Sequence, residues 1–138
     1  MNKVFKVGLI GCGHIAETYF RGHQYFNNFK IVACADINPK AAEKCSKLYN
    51  IKHMTVNEIL KDQNIEVILN LTIPQSHYSV SKRVLNAGKH VYSEKPLATY
   101  FEKGKELVSL AKKKKLYIGN APDTFLGGGG QKARELID

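Results

Sequence analysis

Two rhythms of apolar and polar positions alternate along this chain. Val4-Phe5-Lys6-Val7-Gly8-Leu9-Ile10 is a short, almost continuous apolar run, the pattern of a strand buried on both faces. A helix is expected from about Ile15 to Tyr25, and a second strand from about Lys30 to Ala35. Asn38-Pro39 caps and opens a helix with Ala41, Cys45 and Leu48 on one face. A short strand near Met54 and a short helix over 57–61 come next. Val67-Ile68-Leu69-Asn70-Leu71 predicts a fourth strand, and a helix from Ser76 ends at Gly88, a residue suited to the left-handed position after a helix. His90-Val91-Tyr92 predicts a fifth strand. Thr99-Tyr100-Phe101-Glu102 reads as a capping box, with Phe101, Gly104, Leu107, Val108 and Ala111 along one face of its helix. Leu116-Tyr117-Ile118 predicts a sixth strand, and Gly127–Gly130 opens a last amphipathic segment carrying Ala133, Leu136 and Ile137 at helical spacing.

Strands alternating with helices predict an α/β fold, a doubly wound parallel sheet. In such sheets ligands sit beyond the carboxyl ends of the strands. The residues that follow each strand are therefore the candidates. Gly11-Cys12-Gly13-His14-Ile15-Ala16 follows the first, and Asp36 follows the second, twenty residues past Ala16. Strand, glycine turn, helix, strand and acid form a dinucleotide-binding fingerprint. Gly11 allows the tight turn, Gly13 lets the backbone approach a pyrophosphate, and Ala16 keeps the helix close to the sheet. The backbone at His14 and Ile15 opens the helix and offers N–H groups to phosphate. Asp36 accepts from an adenosine ribose.

Three further candidates end the later strands. Thr72, Pro74 and His77 follow the fourth: Thr72 can bond phosphate or ribose and Pro74 fixes the turn, while His77 is either a cofactor contact or a satisfied structural histidine. Glu94-Lys95-Pro96 follows the fifth. Pro96 biases Lys95 toward an extended backbone, which aims it at the cleft. There it can bond a ribose or substrate hydroxyl, or act as acid or base near a nicotinamide; the alternative is a surface ion pair with Glu94. Asn120 follows the sixth.

Composition narrows the classes. The chain has 138 residues, 43% of them hydrophobic, enough for one domain with a real core. No apolar run is long enough to span a membrane, and no secretory signal pattern opens the chain. Cys12, Cys34 and Cys45 are odd in number and make no CxxC pair or zinc spacing, so no metal is expected and a reduced, cytoplasmic setting is. The net charge of +9 raises the question of nucleic acid. The lysines are scattered, however, and the run Lys112–Lys115 ends a helix, where cations suit the dipole. A solvated face, which also attracts an anionic dinucleotide, is expected instead of a nucleic-acid or membrane partner.

The glycine motif, Ala35-Asp36-Ile37-Asn38-Pro39, Ala87-Gly88-Lys89-His90-Val91-Tyr92 and Glu94-Lys95-Pro96-Leu97-Ala98 together resemble the N-terminal half of the glucose–fructose oxidoreductase/inositol dehydrogenase/MocA (Gfo/Idh/MocA) family. The tail Ala121-Pro122-Asp123-Thr124-Phe125-Leu126-Gly127 resembles its MviM-like branch. The resemblance implies hydride transfer between a nicotinamide cofactor and a sugar, cyclitol or related polyol, with Lys95 as catalytic or cofactor-positioning residue. One departure is Thr72-Ile73-Pro74-Gln75, where many members read Thr-Pro-Asn. The resemblance also implies a second α/β domain carrying much of the substrate pocket and the homo-oligomer interface. Residues 1–120 then form the dinucleotide-binding domain and 121–138 begin the connection. NAD is expected over NADP, because Asp36 repels a 2′-phosphate and no arginine follows it, although Lys40 lies close. A non-catalytic dinucleotide-binding regulatory module of the same fold is the alternative.

Overall fold

The computed structural model describes residues 3–122 and 127–138. Six strands, β1 (Phe5–Ile10), β2 (Phe29–Ala35), β3 (Lys52–His53), β4 (Val67–Asn70), β5 (His90–Ser93) and β6 (Ile118–Asn120), form one sheet in the order β3-β2-β1-β4-β5-β6. Every neighbouring pair is parallel. The helices are α1 (His14–Gly22), α2 (Pro39–Tyr49), α3 (Val56–Lys61), α4 (Pro74–Asn86), α5 (Phe101–Lys114) and α6 (Gly128–Ile137). The strand order reverses between β1 and β4, the crevice where such sheets take ligands.

Alternation along β1 explains the two layers. Val7 and Leu9 pack with Ala16 and Phe20 of α1 and Cys45 of α2. Ile10 packs on the other side with Ile59 of α3, Val84 and Leu85 of α4, and Leu107 and Ala111 of α5. With helices on both faces, the strands carry apolar residues at successive positions. Register then aligns the strand ends. Ala35, Ile10, Asn70, Ser93 and Asn120 stand side by side across β2, β1, β4, β5 and β6. The residues that follow them share one rim.

Several local expectations shift. The first helix gives way to a tighter 3-10 turn over His23–Tyr25. On α2, Ala42 and Cys45 are buried while Leu48 is exposed. The capping box at Thr99 does not form: Tyr100 is the extended residue before α5, which leaves Thr99 one place too early. A capping box joins Thr55 and Glu58 at α3 instead. The sixth strand starts two residues later than expected. Lys115 closes α5 in a left-handed conformation, and the Leu116 N–H still bonds Ala111 O at 2.9 Å. Asn120 therefore lies in β6, not after it. Gly88 takes its expected left-handed turn at φ 77°. None of the residues of α6 is buried; Asp123–Leu126 of the tail motif lies outside the described residues.

Candidate cofactor site

The glycine turn is held by the sheet itself. Gly11 has φ +103°, and its N–H donates to Ala35 O at 2.8 Å. A Cβ there would lie 2.5 Å from Leu71 O and 2.8 Å from Thr72 N, so the β1 turn passes too close to the end of β4 for any side chain. Gly13 differs. It is the extended residue before α1, and a Cβ there would meet nothing within 4 Å. No side chain caps α1, and His14 and Ile15 in its first turn are exposed. Uncapped N–H groups beside an open glycine make an anion site.

Asp36 closes the turn from the neighbouring strand. Its Oδ2 accepts the Cys12 N–H at 2.7 Å and its Oδ1 the Asn38 N–H at 2.8 Å. A carboxylate has about four lone-pair positions, so about two remain for a pair of ribose hydroxyls. Asn38 in turn caps α2, accepting the Lys40 N–H at 3.1 Å, with Pro39 in the first turn.

The ends of β4, β5 and β6 form a second, interlocked group. Asn70 is fully buried. Its Nδ2 donates to Ser81 Oγ at 2.9 Å and His77 O at 3.0 Å, and its Oδ1 accepts the Thr72 hydroxyl at 2.7 Å. Sequence reasoning did not single out Asn70; a polar residue inside the apolar run Val67–Asn70 was the available signal. Glu94 is half-buried, and its Oε1 accepts the Tyr19 hydroxyl at 2.8 Å while its Oε2 accepts the Lys95 N–H at 3.1 Å. Burial and the Glu94 carboxylate push the Tyr19 phenol up, so it stays a donor. Tyr19 was also missed, because its partner is 75 residues away. Lys95 is exposed and precedes Pro96 across a cis bond. Asn120 donates from Nδ2 to Ser93 O and Glu94 O, each at 3.0 Å, and so braces the Glu94 loop.

His77 sits in α4 with its ring buried. Nδ1 lies 2.6 Å from Pro96 O and Nε2 2.8 Å from Thr72 O. In this geometry each ring nitrogen faces a backbone carbonyl, the arrangement of the structural alternative. The imidazole sits between the Thr72 loop and the Lys95-Pro96 loop. A neutral ring donates to only one of the two carbonyls. Pro74 is exposed at the start of α4.

Two other features stand apart from the rim. An apolar hollow of about 400 Å³, lined by Phe5, Tyr19, Phe29, Val67, Leu69 and Tyr92, lies along one sheet face. Its lining is mostly apolar, with Tyr19, His23, Asn28 and Tyr92 as its polar members. Beside the glycine turn, Cys12, Cys34 and Cys45 are free thiols whose sulfurs all lie within 4.8 Å of one another. They come from a turn, a strand and a helix, so spacing along the chain could not announce them.

Residues 5–121 match the oxidoreductase family described as an NAD-binding Rossmann fold, Gfo/Idh/MocA. An uncharacterized oxidoreductase of Schizosaccharomyces pombe is 34% identical over 115 residues, covering 81% of this chain and 31% of that protein. An inositol 2-dehydrogenase/D-chiro-inositol 3-dehydrogenase of Lactiplantibacillus plantarum is 29% identical, covering 80% of this chain and 33% of that protein. A crystal structure of a dehydrogenase (MviM) from Clostridium difficile superposes with a TM-score of 0.78 at 31% identity, covering 85% of this chain and 39% of that one. The chain thus spans about a third of the length of the curated relatives it matches. With the glycine turn, Asp36 and the strand order in place, the chain belongs to the Gfo/Idh/MocA oxidoreductase family and forms its NAD-binding Rossmann domain.

Proposed function

We propose that this chain holds NAD(H) for an oxidoreductase that moves a hydride between nicotinamide and a sugar, cyclitol or related polyol. The observation that carries the reading is Asp36. Its carboxylate joins the glycine turn at the Cys12 N–H, beside an uncapped α1, and keeps acceptor positions for a ribose. Bound nicotinamide would supply the hydride acceptor. The N–H groups opening α1 would hold the pyrophosphate, with Gly13 leaving room for it. Thr72 and Pro74 would line the cofactor path, and Lys95, beside Glu94, would hold a ribose or substrate hydroxyl and move its proton. His77 and Asn120 would act by fixing those loops.

Asp36 favours NAD, since a 2′-phosphate would meet its charge. The polyol class is supported by the inositol dehydrogenase relative. Residues 1–120 serve as the cofactor domain and 121–138 begin the connection to a substrate and homo-oligomer domain. The exposure of Leu136 and Ile137 on α6 suits a segment that packs against further structure. Three free thiols suit a reducing, cytoplasmic setting. Among the described residues no helix is long and apolar enough to cross a membrane.

Calorimetry with NADH and NADPH, beside an assay against sugars and cyclitols, tests this. The 138-residue chain should bind one NADH per chain, more tightly than NADPH, without turnover. Failure to bind either cofactor overturns the reading. Tighter NADPH binding overturns the role of Asp36, and robust turnover by this chain overturns the division between domains.

A further inference from the structure

The three cysteines join parts of the fold that meet behind the dinucleotide turn. Cys12 lies in the turn between β1 and α1, Cys34 in β2 and Cys45 in α2. Cys34 and Cys45 are buried and Cys12 is half-exposed, and all three sulfurs lie within 4.8 Å of one another. Cys12 and Cys45 also line an open hollow of about 360 Å³ together with His14 and Lys44. The cluster is therefore reachable from solvent on one side and enclosed by protein on the other.

We propose that Cys12, Cys34 and Cys45 bind a thiophilic metal ion of the zinc class through three sulfurs, with a water from the hollow as fourth ligand. A zinc–sulfur bond of about 2.3 Å puts three sulfurs around one ion about 3.8–4.0 Å apart, within the 4.8 Å that bounds these sulfurs. Soft sulfur donors select zinc or monovalent copper over magnesium or calcium. An open fourth position facing a hollow is the arrangement of zinc sites with three protein ligands.

As it stands, Cys12 Sγ donates to Ala35 O at 3.6 Å and Cys34 Sγ to Ala42 O at 3.4 Å. Each thiol releases its proton to solvent as its sulfur coordinates an arriving divalent ion. The bound ion would pin the glycine turn to β2 and α2, because Cys12 also donates its N–H to Asp36.

The test uses the reduced 138-residue chain in a metal-free buffer with a phosphine reductant. Cadmium titration should raise a thiolate-to-cadmium ultraviolet band that saturates at one ion per chain, and zinc should displace it. Loss of groups that merely support metal ligands costs about 10–100-fold in affinity, so loss of a ligand costs at least as much. Cys12→Ser, at the half-exposed position, should therefore bind cadmium at least about tenfold more weakly while keeping its circular dichroism. Zinc should raise the melting temperature of the natural chain and leave a Cys12→Ser/Cys45→Ser variant unmoved. The absence of a band, or a band of equal affinity in the folded Cys12→Ser variant, overturns the proposal.

Discussion

Gly11 and Gly13 lie two residues apart in one turn, yet their replacement by alanine should damage different things. At Gly11 the cost falls on the fold. A side chain at φ +103° takes on about 1–2 kcal/mol of backbone strain. A Cβ only 2.5 Å from Leu71 O also forces the β1 and β4 turns apart, and overpacking of that kind costs about 1–3 kcal/mol. Together the loss is about 2–5 kcal/mol. In a domain of this size that lowers the melting temperature by roughly 6–20 °C. At Gly13 no protein atom stands within 4 Å of the added Cβ. The protein loses only the preference of a helix cap for glycine over alanine, about 1 kcal/mol or less. A cofactor pyrophosphate, however, must come close to that backbone. Losing one phosphate hydrogen bond at 1.5–3 kcal/mol weakens NADH binding about 10–150-fold. Urea denaturation and NADH calorimetry on both variants separate the two effects. Gly13→Ala binding NADH within about twofold of the natural chain would refute the placement of the pyrophosphate at this turn. Gly11→Ala losing less than about 0.5 kcal/mol, the size of an ordinary surface change, would refute the close approach of β1 to β4.

In the oxidoreductase proposed above, Lys95→Ala should cut kcat by about 10²–10⁴ if Lys95 transfers the substrate proton, and weaken cofactor binding by about 1.5–3 kcal/mol if it holds the ribose; steady-state kinetics with cofactor titration tell these apart, and an unchanged rate and affinity return it to a surface ion pair. Asn70→Ala should lower unfolding free energy by about 2–4 kcal/mol in urea, since it strips partners from Ser81, Thr72 and the His77 carbonyl in a buried place, and a loss near zero would remove Asn70 as the organiser of this rim. Glu58, Asp62 and Glu106 are held below the usual carboxylate range, by the Thr55 N–H, the Asn64 N–H and the Lys82 ammonium respectively. Their folded forms bind protons less readily than the unfolded chain, so this stability is present above about pH 5 and is lost as pH falls through the depressed range. Urea midpoints that stay constant from pH 6 to about pH 3 would contradict it.

The sequence by itself determined the alternation of elements, the parallel sheet, the glycine turn and the acid after β2. Each of these is local: an apolar run, a helical period, a proline or a glycine acts through neighbouring residues, and the rim follows once strands are parallel. What only the tertiary structure decided lies between elements. The Tyr19–Glu94 bond links α1 to the end of β5, and His77 chooses its role only when Pro96 O and Thr72 O arrive on either side of its ring. The start of β6 waited on the left-handed closure at Lys115, which competes with strand pairing for the same residues. The three thiols show the same limit most plainly. Cys12, Cys34 and Cys45 have no motif spacing, and they meet because the β1 turn, β2 and α2 pack on one sheet face, where contact distance is set by the fold and not by separation along the chain.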